Sequence, residues 1–263
     1  MQSFHLDNYP RNFDLGEILS IAKNFYFSNF QKVFIIAFIC FIPVAYLISN
    51  INISNLLDEN IILEVKAQII FQLIGGIMLN SFATVAITIF VNIRLEKTTA
   101  TISEVFKEMY LKIIANIFQN FTAFILLYFL IVAWFLLGFF YPMIFLILFI
   151  PSVISYIFIS FTFFAFGSDD INLYQAMRHS LMAVFGRWGR VFLYSVTITI
   201  MNSLAILLLS ILSAEVPLGN FKILLDTLLS ALTSYFLIVN AVFYLNLKHT
   251  ARLMNDEQFK FLL

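Results

Sequence analysis

Residues 171–194, INLYQAMRHSLMAVFGRWGRVFLY, decide how the chain is read. Asn172 and Gln175 make a helix-start pattern: a cap side chain accepts the third backbone N–H, and the amide three residues on reaches back. Leu173, Ala176, Met177 and Val184 then recur at helical spacing, with Arg178, His179, Arg187 and Arg190 interspersed. A basic amphipathic helix of this kind lies on a membrane. From Val191 to Leu212 the chain is apolar and long enough to cross ~30 Å of hydrocarbon, so the surface helix is expected to turn into the bilayer.

The pattern occurs three times. Ungapped stretches starting at Asp14 (DLGEILSIAKNFYFSNFQKVF), Thr101 (TISEVFKEMYLKIIANIFQNF) and Asn172 (NLYQAMRHSLMAVFGRWGRVF) can be overlaid. Each opens with a cap and an acid or amide three residues later: Asp14 with Glu17, Thr101 with Glu104, Asn172 with Gln175. The apolar stripes correspond: Leu15/Ile102/Leu173, Ile18/Val105/Ala176, Leu19/Phe106/Met177, Tyr26/Ile113/Val184 and Phe30/Ile117/Trp188. Two apolar segments separate successive copies, so every copy starts on the same side. Repeats in parallel orientation are related by an axis along the membrane normal.

Composition agrees with lipid as the main solvent. Of 263 residues, 62% are apolar and 11% charged, and 33 are Phe; a soluble domain is nearer half apolar and a quarter charged. Six long apolar segments are placed at about Phe30–Ile48, Ala67–Ile93, Ile117–Leu137, Tyr141–Phe166, Val191–Leu212 and Phe221–Asn246. A spanning segment must satisfy its own backbone hydrogen bonds, which makes each a helix. Gly138 and Pro142 divide the third from the fourth, and Pro151 is expected to kink the fourth. Residues 1–12 are polar and expected to fray. No signal peptide is expected, because a polar start precedes the first apolar run and no small-residue cleavage site follows it. Cys40 has no partner for an internal disulfide and is expected to be an inert core residue.

The charges set an orientation. With six spans and the N-terminus inside, the inner face receives Arg11, Lys23, Lys32, Arg94, Lys97, Lys107, Lys112, Arg178, Arg187, Arg190, Lys248, Arg252 and Lys260. The outer face receives Lys66 and Lys222 alone. This bias follows the positive-inside rule, and both termini are expected in the cytoplasm. The expected fold class is therefore all-α: a polytopic membrane protein with six transmembrane helices in three repeats of interfacial amphipathic helix plus helical hairpin, in loose quasi-threefold arrangement. Residues 1–263 form one integral membrane domain, with units over about 13–94, 100–167 and 171–248 and a cytoplasmic tail over 249–263.

No G-x-S-x-G, GxxxxGK[ST] or HExxH pattern occurs, and such motifs are where nucleophile, phosphate or zinc chemistry would show. His5, His179 and His249 are far apart and read as solvated residues rather than ligands. Asp169 and Asp170 read as the start of a helix, where negative charge suits the dipole. Asn52–Ile53–Ser54 matches a glycosylation sequon. Asp226 stands about one turn into the sixth span, near the interface; ion-coupled transport usually needs a charge deep in the bundle. The net charge of zero gives no reason to expect nucleic acid, and no cofactor or metal is implied.

Two sets of residues remain as candidates. Gln72, Gly76, Asn80, Thr84 and Thr88 in the second span recur every fourth residue, as do Ser195 and Thr199 beside Asn202 in the fifth, and Ser230 and Ser234 in the sixth. Small and polar residues on such a ridge either let helices pack closely or line a polar path. Arg178, His179, Arg187, Trp188 and Arg190 form the second set. Arginines near the surface attract anionic headgroups by about 1 kcal/mol each, so these read either as anchoring or as a site for a phosphate-bearing lipid.

The stretch QAMRHSLMAVFGRWGRV (Gln175–Val191), following an apolar span and two acids, resembles a pattern in the bacterial YciC-like inner-membrane proteins and in the related membrane domain beside some glycerophosphodiester phosphodiesterases. There an Ala–x–x–x–Ser helix (Ala176 and Ser180 in this chain) follows a kinked span. ILSIAKNFYFSNFQKVFII is similar to their N-terminal helix and first span. The resemblance implies a six-span inner-membrane protein and carries over no catalytic residue. The functional expectation is a non-enzymatic membrane protein that organises or contacts lipids through cytoplasmic-side amphipathic helices, with membrane lipids and other membrane proteins as candidate partners. The alternative is a facilitator using a polar-lined path between spans two, five and six.

Overall fold

The computed structural model describes residues 12–49, 63–97, 99–127, 161–214 and 219–259. The expected fraying of residues 1–11, the Asn52 sequon, the turn at Gly138 and Pro142, and the Pro151 kink lie outside them. Among the described residues every regular element is a helix. In chain order they are α1 (Leu15–Ser28), α2 (Phe30–Ser49), α3 (Leu63–Glu96), α4 (Ile102–Ala115), α5 (Ile117–Leu127), α6 (Thr162–Ser168), α7 (Leu173–Val184), α8 (Trp188–Ala214), α9 (Gly219–Leu232) and α10 (Ser234–Phe259).

Among the described residues two stretches are long and apolar enough to cross a membrane, Trp188–Leu209 and Ile223–Thr250. The number rises to four if each of two bent pairs, α1 with α2 and α4 with α5, is one span. The chain is thus consistent with an integral membrane protein. The expected fifth segment coincides with α8. The expected sixth divides at Thr233, whose N–H bonds back to the carbonyls of Leu229 and Ser230 (3.3 and 3.1 Å) and whose hydroxyl donates to Ser230 O at 2.7 Å. Helix α10 continues to Phe259, through most of the region expected to be a tail.

All three expected caps form. Glu17 N donates to Asp14 Oδ1 (2.7 Å), Glu104 N to Thr101 Oγ1 (3.2 Å) and Gln175 N to Asn172 Oδ1 (2.8 Å). In return the cap N–H of each donates to the side chain three residues on, at 3.0, 2.8 and 3.2 Å. Two donors that a helix start leaves without partners are satisfied each time. The next helix opens sixteen positions after each cap, at Phe30, Ile117 and Trp188.

The breaks between them are sharp. α1 meets α2, and α4 meets α5, at 90°. Asn29 closes α1, its Nδ2 donating to Phe25 O at 2.9 Å. Between α7 and α8 the chain turns at Gly186, whose φ of +77° is left-handed backbone that favours glycine.

The apolar stripes of α1, α4 and α7 were expected to lie on the bilayer, and the structure corrects this. Ile18, Ala22 and Tyr26 of α1, Val105 of α4, and Leu173, Ala176, Ala183 and Val184 of α7 are buried within the protein. They are covered by α10 and α2, by α3, and by α6 and α10 respectively. A stripe of apolar residues records that a face leaves water, not whether lipid or protein receives it.

Helix α10 is the hub, packed against α1, α2, α3, α6, α7 and α8. Phe243 and Tyr244 meet the ring of Phe161 edge-on at 5.6 Å and stacked at 5.9 Å. Helix α2 is sandwiched between α3 and α9. Helix α6 lies so close to α3 that a Cβ on Gly167 would stand 2.7 Å from Thr88 Cβ.

Candidate functional site

The outer surface of each bend carries two large apolar side chains at corresponding positions. Thirteen and sixteen residues after the caps stand Phe27 and Phe30, Ile114 and Ile117, and Phe185 and Trp188. All six are exposed, from 39% at Trp188 to 81% at Phe185. Trp188 stacks on Phe192 with ring centres 5.1 Å apart. Water would oppose this arrangement, whereas a headgroup boundary favours aromatic residues at that depth. Six residues after each cap stand Ser20, Lys107 and Arg178, all exposed, so α4 and α7 each present a cation outward.

The five residues expected to meet headgroups divide in two. Arg178 and Trp188 face outward. Arg187, Arg190 and His179 are turned toward the protein. Arg187 donates to Leu247 O (2.8 Å) and to Thr250 Oγ1 (2.5 Å) on α10. Burial, and then the neighbouring Arg190 charge, hold its guanidinium below its ordinary pKa. Arg190 donates to Asn12 Oδ1, to Phe13 O and, at 3.2 Å, to Asn246 Oδ1. Its guanidinium also lies over the rings of Tyr194 and Phe243 at 5.2 and 5.8 Å, which adds a cation–π attraction. The bend at Gly186 brings the first turn of α8 onto the carbonyls near Leu247, and arginine supplies the reach.

Asp169 corrects a second expectation. It caps the C-terminal end of α6 instead of starting a helix; the next helix begins at Asn172. Its buried carboxylate pairs with Lys248 Nζ of α10 and with His179 Nδ1 of α7 at 3.0 Å, while Lys112 Nζ of α4 donates to its backbone carbonyl at 2.6 Å. Burial pushes the carboxyl upward, but Lys248 and His179 outweigh it and the pKa falls below the ordinary value. The sequence signal for this centre was an acid directly behind an apolar run. Of its partners His179 lies 10 positions on and was already a candidate, whereas Lys112 and Lys248 lie 57 and 79 positions away in the chain and carry no such mark.

The polar rows pack in part. The side chains of Gln72 and Gly76 lie outside the described ones. Asn80 is exposed; Thr84 and Thr88 are buried and donate to carbonyls of their own helix, Asn80 O at 3.3 Å and Thr84 O at 2.7 Å. Thr88 is also the surface on which Gly167 rests. In α8 Thr199 is exposed while Ser195 and Asn202 are half-buried; Ser230 is half-buried and Ser234 fully buried where α9 passes into α10.

A cavity of about 480 Å³ lies between α3, α5 and α6, lined by Leu79, Phe82, Val85, Ile113, Ile117, Phe121, Phe124, Phe163, Phe166 and Leu173, with Ser81 and Asn120 as its polar members. Asn120 is already engaged: its Nδ2 donates to the carbonyls of Lys112 and Ile113, and its Oδ1 accepts from Leu173 N at 2.9 Å. Such a lining suits hydrocarbon, not a polar solute. Among the described residues no three His, Cys, Asp or Glu side chains stand together as metal ligands. No family model, curated protein or solved structure matches the chain.

Proposed function

We propose that the chain is a non-catalytic integral protein of a bacterial inner membrane that contacts lipid at the bends of three repeated units. In this reading it has six transmembrane helices, each unit is an interfacial helix followed by a helical hairpin, both termini are cytoplasmic, and the YciC-like resemblance reflects common descent. The observation that carries it is the pair of exposed apolar residues at corresponding positions of the three bends, with Lys107 and Arg178 on the outward side of the surface helices. The equal spacing from cap to exit supports the repeat. The excess of cations on one set of connections supports the orientation. Lipid contact thus narrows to the bends, where the last stripe position of each copy (Phe30, Ile117, Trp188) is exposed.

The polar-path alternative draws less support. Thr84 and Thr88 satisfy themselves within their own helix and Gly167 packs on Thr88.

Trp188 makes the test direct, because Trp134 is the only other tryptophan. In a Trp134→Phe protein reconstituted into vesicles, lipids brominated near the headgroup end of the acyl chain should quench Trp188 fluorescence strongly. Lipids brominated near the chain end should quench it weakly. Absence of quenching by either lipid would overturn the proposal. The charged component is tested separately: Lys107→Gln with Arg178→Gln should at least halve the rise in thermal midpoint that added anionic phospholipid produces, and an undiminished rise would remove the cations from the reading.

A further inference from the structure

Eighteen positions after the caps stand Lys32, Gln119 and Arg190. Each is bonded to the entrance of another unit. Lys32 Nζ donates to Ala100 O at 2.7 Å, and Ala100 immediately precedes the cap Thr101. Gln119 Oε1 accepts from Nδ2 of Asn172, itself a cap, at 2.8 Å. Arg190 donates to Phe13 O, and Phe13 immediately precedes the cap Asp14. The first unit holds the second, the second holds the third, and the third holds the first.

An open row of three units would leave the last junction residue without a partner unit. Arg190 instead turns back to the start of the chain, where Phe13 N also donates to Asn246 Oδ1 at 3.2 Å. A head-to-tail contact that meets its own beginning after three steps is the signature of cyclic closure. We infer that the chain is a closed ring of three head-to-tail units, fastened at position eighteen after each cap, and that Arg190 is the fastener joining the end of the chain to its beginning. This inference rests on the repeat put forward above, and it makes the lipid contacts three equivalent bends spaced round a ring in place of one basic patch. It also assigns Arg190, a headgroup candidate by sequence, to the protein's own closure.

The test uses the full-length protein in lipid-free detergent. Arg190→Ala should lower the thermal midpoint by about 5 °C or more, as loss of charge-assisted hydrogen bonds does in a chain of this size. Arg190→Lys should recover part of that loss, since an ammonium still donates to Phe13 O. Releasing the first unit should also speed tryptic cleavage at Lys23 several-fold in Arg190→Ala and leave it unchanged in Arg178→Ala. Lys32→Ala should loosen the junction with the second unit, read as faster cleavage at Lys97. If Arg190→Ala keeps both midpoint and cleavage rate, closure is wrong. If it loses both while Trp188 remains unquenched by brominated lipid, the ring stands and the lipid reading falls.

Discussion

Helices α8 and α10 look alike in the sequence and live in different surroundings. Both belong to stretches apolar enough to span a membrane, yet in an apolar window of 18 residues 11% of the first, within Trp188–Leu209, is buried inside the protein against 50% of the second, within Ile223–Thr250. Leu193, Ile200, Leu204, Leu208 and Ile211 project outward from α8, whereas Ile238, Val239, Phe243 and Leu247 of α10 are wholly enclosed. Lipid tails are as apolar as leucine, so hydrophobicity alone does not sort the two. Polar anchors do. Asn246, Lys248 and Thr250 gather near the end of the apolar stretch, midway along α10, and receive Arg190, Asp169 and Arg187. Arg187 and Arg190 reach them from the approach to α8 and its first turn, and Asp169 from the end of α6. One helix is held and the other does the holding.

The contrast can be broken most forcefully at matched apolar positions. Phe243→Ala removes a ring packed on Phe161 and Tyr194 and lying under Arg190, and should cost about 3–5 kcal/mol. Leu204→Ala, at a residue 54% exposed, should stay within about 0.5 kcal/mol. Reversible unfolding in mixed micelles measures both. Equal losses would mean that α8 is covered as fully as α10.

Next in size is the carboxylate that pins α10 to α6 and α7. Asp169→Ala should cost about 3 kcal/mol, because removing one member of a buried pair strands Lys248. The pH dependence has a definite sign. The folded-state pKa is depressed below the ordinary 3.8, so the stabilisation is complete above that value and is lost as pH falls through the folded pKa. Acid unfolding below about pH 4 should therefore be less steep in Asp169→Asn than in the unaltered protein. Identical acid limbs would show that the pair contributes nothing to holding α10.

What the residue string disclosed, and what it withheld, follows the range of the forces. The caps at Asp14, Thr101 and Asn172, and the openings of α2, α5 and α8, are decided within a few neighbours, and each lies where local pattern placed it. That the α1 and α7 stripes form helices with one apolar face was legible; what covers that face was not, since Ile18 or Ala176 would be the same residue against lipid or against α10. The arginines show the same limit. Arg178, Arg187 and Arg190 are equivalent in charge and near in sequence, and the positive φ at Gly186 aims two of them inward. Asp169 needed partners from α4, α7 and α10, which only the assembled chain brings together. The polar row in α3 was legible as a pattern, and of its described part Thr84 and Thr88 are buried, with Thr88 against Gly167, while Asn80 is exposed.

The smallest effects lie at two glycines, and they sharpen the comparison by sign. Gly167 sits where α6 rests on α3: an added Cβ would meet Thr88 Cβ at 2.7 Å and Val85 O at 3.1 Å. Thr88 is fully enclosed and has nowhere to retreat. Gly167→Ala should cost about 1–3 kcal/mol by overpacking. Gly189 in the first turn of α8 has no atom within 4 Å of where a Cβ would stand. There alanine meets no neighbour and restricts the unfolded chain more than glycine does, so Gly189→Ala should leave stability unchanged or raise it by up to about 0.5 kcal/mol. Opposite signs from one identical substitution would report enclosure by protein at α6 and its absence along α8. A loss at Gly189 comparable to that at Gly167 would place protein against the outer side of α8 and undo the distinction between the helix that is held and the helix that holds it.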